Sequence, residues 1–96
     1  MLAGTQEERL ETIAVIGAGI MGRGIAHVAA MGGFKTILND VSGDLLNKAK
    51  ARVSQDLQQG VTIGKVTSEL MQSTLDRLQL ETDLDKAAQT ADMVIE

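Results

Sequence analysis

The chain has 96 residues, a formal net charge of −4 and a single aromatic residue, Phe34. This length allows one domain, whose core must be built from aliphatic side chains and methionine. The acidic balance and scattered basic residues argue against a nucleic-acid partner, and the absence of cysteine excludes disulfides and cysteine-based metal sites. No apolar run approaches the ~20 residues of a membrane helix, and Met1 to Leu10 is polar and acidic, so we expect a cytoplasmic protein. No metal site is expected.

The first predicted element is a strand within Leu10 to Ile16, preceded by a segment without periodicity that is expected to fray. Its apolar run is short and rich in β-branched residues, as in a buried strand of a parallel sheet. Gly17, Gly19 and Gly22 follow with the spacing G-x-G-x-x-G. The first glycine permits a tight turn, the second the close approach of a pyrophosphate, and the third close packing of a helix on the strand.

A helix is predicted over Ile20 to Met31, ended by the two glycines that follow. Its N-terminus directs free N–H groups and the positive end of its dipole at the loop. We expect Gly24 to permit the close approach of a neighbour, and His27 to be a partly exposed helix residue because no catalytic partner is near it in the sequence. The apolar face of this helix is predicted to contain Met21, Ile25, Val28 and Ala29.

Lys35 to Asn39 predicts the second strand, and Asp40 follows it, 18 residues after Gly22. An acid at this place in a dinucleotide-binding unit accepts hydrogen bonds from the adenosine ribose. A carboxylate would also repel a 2′-phosphate. Strand, loop, helix, strand and acid are in register, and together they predict an NAD site over either an NADP site or a plain glycine-rich turn.

Two helices are predicted before the third strand, which is more than a crossover of about a dozen residues requires. Ser42 can cap the first helix, which should end near Gly60, and Thr67 can begin the second, so we expect an antiparallel helical hairpin. The extra helix either contacts a substrate or only packs. The expected apolar positions are Leu45, Ala49, Val53 and Leu57 in the first helix and Leu70, Met71, Thr74, Leu75 and Leu78 in the second.

The remaining residues predict a short edge strand at Leu78 to Thr82, a helical turn capped by Asp83, and a fourth strand at Ala91 to Glu96. The fold class is therefore α/β, a Rossmann-type parallel sheet of about four strands, with residues 1–96 forming the N-terminal part of an NAD-binding domain. In the order 3-2-1-4-5-6 the fourth strand is internal and pairs with a fifth. Because the sequence predicts no fifth strand, we expect an apolar unpaired edge on the fourth that promotes self-association. Glu96 would lie at the ligand-facing end of this strand, or be a simple exposed carboxylate.

With its elements in order, the sequence resembles the start of the 3-hydroxyacyl-CoA dehydrogenases. The resemblance extends from Thr12 onward and rests on VIGAGIMGRGIAHVAA, LND, the helical pair, TDL and ADMVIE. It implies hydride transfer between NAD and the 3-hydroxyl of an acyl-CoA, in fatty acid metabolism. It further implies that Asp40 holds the adenosine ribose. The implied pyrophosphate loop comprises Gly17, Ala18, Gly19, Ile20, Met21 and Gly22.

The resemblance also implies that this chain holds no catalytic residue, because the histidine and glutamate of the family follow the fourth strand. His27 does not match that histidine. Members of the family often carry a basic K-G-K cluster between the crossover helices, where coenzyme A is contacted, and this chain has Ile63, Gly64 and Lys65 there. Lys65 retains one of the two charges and is the candidate substrate-binding residue, with a solvated loop lysine as the alternative.

Two other interpretations are kept open. One is a β-hydroxyacid dehydrogenase related to 3-hydroxyisobutyrate or 6-phosphogluconate dehydrogenase, which share a G-x-G-x-M-G turn. The other is a regulatory module that senses NAD without chemistry, like those gating potassium transporters. The helical insertion between the second and third strands argues against both classes.

Overall fold

The computed structural model describes residues 10–96, in which four strands form one parallel sheet in the order β3-β2-β1-β4. This is the first part of the doubly wound order, so the predicted Rossmann-type fold class is confirmed. The expected fraying before the first strand lies outside the described residues. The elements are β1 Thr12–Ile16, α1 Ile20–Met31, β2 Lys35–Asn39, α2 Gly43–Thr62, α3 Ser68–Arg77, β3 Leu78–Glu81, α4 Leu84–Gln89 and β4 Met93–Ile95.

β1 is the central strand and pairs with β2 along its whole length, from Thr12 opposite Lys35 to Ile16 opposite Asn39. On its other side it pairs with β4 in parallel. The carboxyl ends of β1, β2 and β4 therefore meet at one edge of the sheet, where open α/β folds bind ligands. The outer edge of β4 has no partner strand in the described part of the chain, as predicted.

Asp92, just before β4, fixes this three-residue strand to β1. Its Oδ2 accepts hydrogen bonds from the backbone N–H groups of Glu11 and Thr12, both at 2.9 Å. Its own N–H donates to the Thr12 carbonyl at 2.8 Å. The Glu11 N–H first, and then the Thr12 N–H, lower the pKa of Asp92 below its ordinary value. The charged carboxylate thus anchors β4 at the edge opposite the ligand-binding edge.

The buried face of α1 differs from the predicted one. Ala26 and Ala30 are the fully buried residues of this helix, since their small side chains allow it to lie close to its neighbours. The predicted apolar face does lie along one side, but Met21 is 79% and Val28 71% exposed. No atom lies within 4 Å of a Cβ placed on Gly24, so the neighbour expected at this glycine is not found among residues 10–96.

The predicted helical pair is present, with two corrections. Leu46, not Leu45, is buried with Ala49, Val53 and Leu57. α2 also continues past Gly60 to Thr62, and Gly60 instead accepts the Lys65 and Val66 N–H groups through its carbonyl oxygen. A Cβ on Gly60 would lie 2.6 Å from a methyl carbon of Val66, so this glycine serves the contact between the helix and the following turn. Within the described range, no helix is long and apolar enough to cross a bilayer.

Candidate nucleotide site

The glycine loop between β1 and α1 is attached to the end of β2 by two consecutive N–H groups. Gly17 donates to the carbonyl oxygen of Asn39 at 2.7 Å, and Ala18 donates to Oδ2 of Asp40 at 3.0 Å. Gly17 has a φ of 102°, a conformation that side chains disfavour. The requirement for a glycine at the exit of β1 is thereby confirmed.

The other two glycines of the loop differ in what surrounds them. A Cβ on Gly22 would overlap the Gly17 carbonyl oxygen and lie 3.0 Å from its carbon, so the close approach of α1 to the loop requires glycine. At Gly19, no atom lies within 4 Å of an added Cβ. The protein's own packing therefore does not require glycine at position 19, and the space in front of α1 is left open for a group that approaches the backbone.

The N-terminus of α1 is the one helix start in the described chain without a capping side chain. Gly19 is its N-cap residue, and its first turn contains no acid. The side chains of Ser42, Thr67 and Asp83 accept backbone hydrogen bonds at the starts of α2, α3 and α4, and each of those first turns also contains an acid. The first N–H groups of α1 therefore point at open space, where an anion can accept them.

Asp40 lies half-buried at the carboxyl end of β2, next to the loop. Its Oδ1 accepts the Ser42 N–H and its Oδ2 the Ala18 N–H, both at 3.0 Å. The Ala18 N–H first, and the Ser42 N–H second, lower its pKa against the opposing effect of burial, so the group is charged at neutral pH. A carboxylate offers about four acceptor positions, so each oxygen retains one for a ribose hydroxyl.

A cleft of about 340 Å³ extends from the loop to the end of β4. The apolar end of β1 forms its floor, and the last residue of β4 and Glu96 form one wall. Glu96 thus lies at the ligand-facing edge and is also an exposed carboxylate, so the structure agrees with both expectations for this residue. The lining residues are Val15, Ile16, Gly17, Gly19, Ile20, Met21, Gly22, Ile25, Ile95 and Glu96.

Two residues singled out in the sequence lie away from this cleft. Lys65 is exposed in the turn between α2 and α3, and half-buried His27 is on α1; neither lines the cleft. The sequence reasoning missed Asn39, whose buried side chain donates to the Glu81 carbonyl at 2.8 Å while its own carbonyl holds Gly17. A polar residue at the end of an apolar buried strand was the available signal.

A glycine loop tied to β2, an uncapped helix start and a charged acid at the same sheet edge define a dinucleotide-binding Rossmann unit. The family model described as 3-hydroxyacyl-CoA dehydrogenase, NAD binding domain, matches residues 12–96. The chain belongs to this family, and the cofactor class that the sequence predicted, NAD, agrees with it.

Individual relatives agree with this membership. The chain is 44% identical over 87 residues to a 3-hydroxybutyryl-CoA dehydrogenase of Bradyrhizobium diazoefficiens, covering 91% of this chain and 29% of the relative. It is 45% identical over 87 residues to a 3-hydroxyadipyl-CoA dehydrogenase of Escherichia coli, covering 91% and 18%. The crystal structure of 3-hydroxybutyryl-CoA dehydrogenase from Escherichia coli K12 superposes with a TM-score of 0.86 at 43% identity, covering 90% of this chain and 18% of that one. The chain thus spans less than a third of the length of these relatives.

Proposed function

We propose that this chain forms the adenosine and diphosphate side of the NAD site of a 3-hydroxyacyl-CoA dehydrogenase. In this proposal residues 1–96 are the N-terminal part of the NAD-binding domain. The observation that carries it is the uncapped N-terminus of α1, which faces the space left open at Gly19, beside the charged carboxylate of Asp40. An anion and a diol fit this pair of groups.

Each loop residue has a separate part in the proposed site. The N–H groups of Ile20, Met21 and Gly22 are placed to hold the diphosphate, because they belong to the uncapped first turn of α1. Those of Gly17 and Ala18 hold the loop to β2. Asp40 accepts the ribose hydroxyls. When bound, NAD supplies the ring that exchanges a hydride with the substrate, and the described residues bind and orient it.

The substrate side of the reaction rests on similarity to known proteins and not on the geometry of the described residues. The relatives' names specify acyl-CoA substrates for those proteins, and we infer the same class for the intact protein to which this chain corresponds. Catalysis would need the acid–base pair that the resemblance places after the fourth strand, so the chain by itself should bind NAD without turning over an acyl-CoA. The contact of Lys65 with coenzyme A and the cytoplasmic location stay predictions.

Titration calorimetry with NAD and with NADP tests the cofactor proposal. We expect weak NAD binding, with NADP bound at least about tenfold more weakly because the Asp40 carboxylate repels a 2′-phosphate. Asp40→Ala should weaken NAD binding about tenfold through the lost charged hydrogen bonds. Asp44→Ala, which removes an exposed acid in the first turn of α2, is the matched control and should leave the affinity unchanged. Equal affinities for NAD and NADP would contradict the role of Asp40.

We also propose that the 96-residue chain self-associates through β4, whose outer edge has no partner strand among residues 10–96 and whose Met93 and Val94 are exposed. Sedimentation velocity over a range of concentrations should show a concentration-dependent dimer. Val94→Lys should shift it to monomer, since edge lysines oppose strand pairing. Val41→Lys, at a side chain that is 92% exposed and follows β2, a strand that does not pair with β4, is the control and should leave the dimer intact. A wild-type chain that stays monomeric at all concentrations would refute this interface.

A further inference from the structure

The Asp40 carboxylate joins the glycine loop to the segment just before α2. One oxygen accepts the N–H of Ala18 in the glycine loop, and the other accepts the N–H of Ser42, just before α2. The neighbouring bond, from Gly17 to the Asn39 carbonyl, is between backbone groups and survives any substitution at position 40. The bond from Ala18 depends on the Asp40 side chain.

The loss of this bond would be costly at Ala18 itself. Ala18 is buried, at 4% exposure, and a buried N–H group without an acceptor is strongly disfavoured. Since Gly19 follows directly and is the N-cap residue of α1, a shift of Ala18 toward another acceptor would move the helix start that faces the cleft. The direction of the diphosphate donors is therefore linked to the carboxylate of Asp40.

We propose that Asp40 is a positioning residue for the diphosphate loop in addition to a ligand for the ribose, so that recognition of both groups depends on one carboxylate. This inference rests on the proposed NAD site. In it, the Ala18 N–H stays on Asp40 when the cofactor is bound, and the ribose uses the second acceptor position of each carboxylate oxygen.

The change in affinity for a ribose-free anion, when the Asp40 charge is removed, separates this role from ribose binding alone. Removing a negative charge beside an anion site should strengthen anion binding if electrostatics is the whole effect. If Asp40 positions the loop, the same removal should weaken binding of an anion that contains no ribose. Inorganic pyrophosphate and adenosine are therefore the two probes, since each carries one of the two groups.

Binding of both probes is measured by NMR titration of the wild-type chain and of Asp40→Ala, with Asp44→Ala as the charge-matched control. We expect Asp40→Ala to weaken the binding of adenosine and of pyrophosphate, each about tenfold. Asp44→Ala should leave the affinity for both probes unchanged. An Asp40→Ala chain that binds pyrophosphate as well as the wild type, or better, overturns the positioning role.

Amide hydrogen exchange at Ala18 in the ligand-free chain gives an independent readout. Protection at Ala18 should fall in Asp40→Ala and persist in Asp44→Ala; unchanged protection in Asp40→Ala overturns the proposal. If the wild-type chain binds neither probe, the proposed NAD site fails, and the exchange data alone decide whether Asp40 holds the loop. If Asp40→Ala does not fold, Asp40→Asn replaces it, because an amide has one acceptor oxygen for two N–H groups.

Discussion

Gly22→Ala is expected to destabilise the chain by at least about 2 kcal/mol and to abolish detectable NAD binding. The added Cβ would overlap the carbonyl oxygen of Gly17, which is backbone and cannot rotate away as a flexible side chain could. α1 must then move off the loop, and the N–H groups of its first turn move with it. Urea unfolding and calorimetric titration with NAD measure the two effects.

Gly24→Ala is the matched control for this substitution. It makes the same change in the same helix, two residues further on, where no atom lies within 4 Å of the new Cβ. Because alanine favours a helix over glycine, Gly24→Ala should stabilise the chain by up to about 1 kcal/mol and leave NAD binding intact. Equal effects of the two substitutions on stability and NAD binding would show that the close approach of Gly22 to Gly17 does not require glycine at position 22.

Leu46→Ala is expected to lower the free energy of unfolding by about 2 to 5 kcal/mol, a large part of the stability of a small domain. The Leu46 side chain is 2% exposed and belongs to the buried core, whereas the adjacent Leu45 is 39% exposed and does not. Leu45→Ala makes the same chemical change one position earlier and should cost less than about 1 kcal/mol.

Urea unfolding of the two leucine variants, followed by circular dichroism, decides between the predicted and the observed face of α2. A larger loss in Leu45→Ala than in Leu46→Ala would restore the face predicted from the sequence. Both variants keep the Ser42 cap and the Asp40 carboxylate, so the difference reports packing.

The features that could be predicted from the sequence are those fixed by local chemistry. Gly17 needs a positive φ wherever this turn forms, and Ser42, Thr67 and Asp83 cap the helices that follow them because their side chains reach an N–H three residues on. The place of Asp40 follows equally directly, since a residue that ends a parallel strand beside the loop must lie at the ligand-facing edge.

The helix faces were predicted less well, because spacing alone does not say which side meets the sheet. A repeat of every four residues drifts by about 40° a step, so Leu45 to Leu57 spans about 120°. Leu46 with Ala49, Val53 and Leu57 spans only about 80°, which is the narrower and observed face. In α1 the two buried alanines are less hydrophobic than the exposed methionine and valine, so a hydrophobicity pattern favours the wrong residues.

The hydrogen bonds that hold the loop could not be predicted either. Nothing in the spacing of the glycines indicates that the Ala18 N–H is taken by the acid at the end of the next strand. The bond joins residues 22 positions apart and depends on the register of β1 against β2, in which Ile16 lies opposite Asn39. Register is a tertiary property, so the sequence predicts the acid as a ribose ligand but not as a hydrogen-bond partner of the loop.

The pairing of β4 with β1 also bears on how the chain folds. Asp92 bonds to Thr12 across 80 positions of sequence, whereas the bond between Ala18 of the glycine loop and Asp40 spans only 22. Closing so long a segment is slow compared with forming the β1-α1-β2 unit. The half of the cleft that the glycine loop forms can therefore assemble early, and the wall that Ile95 provides is added only when the most distant strand docks.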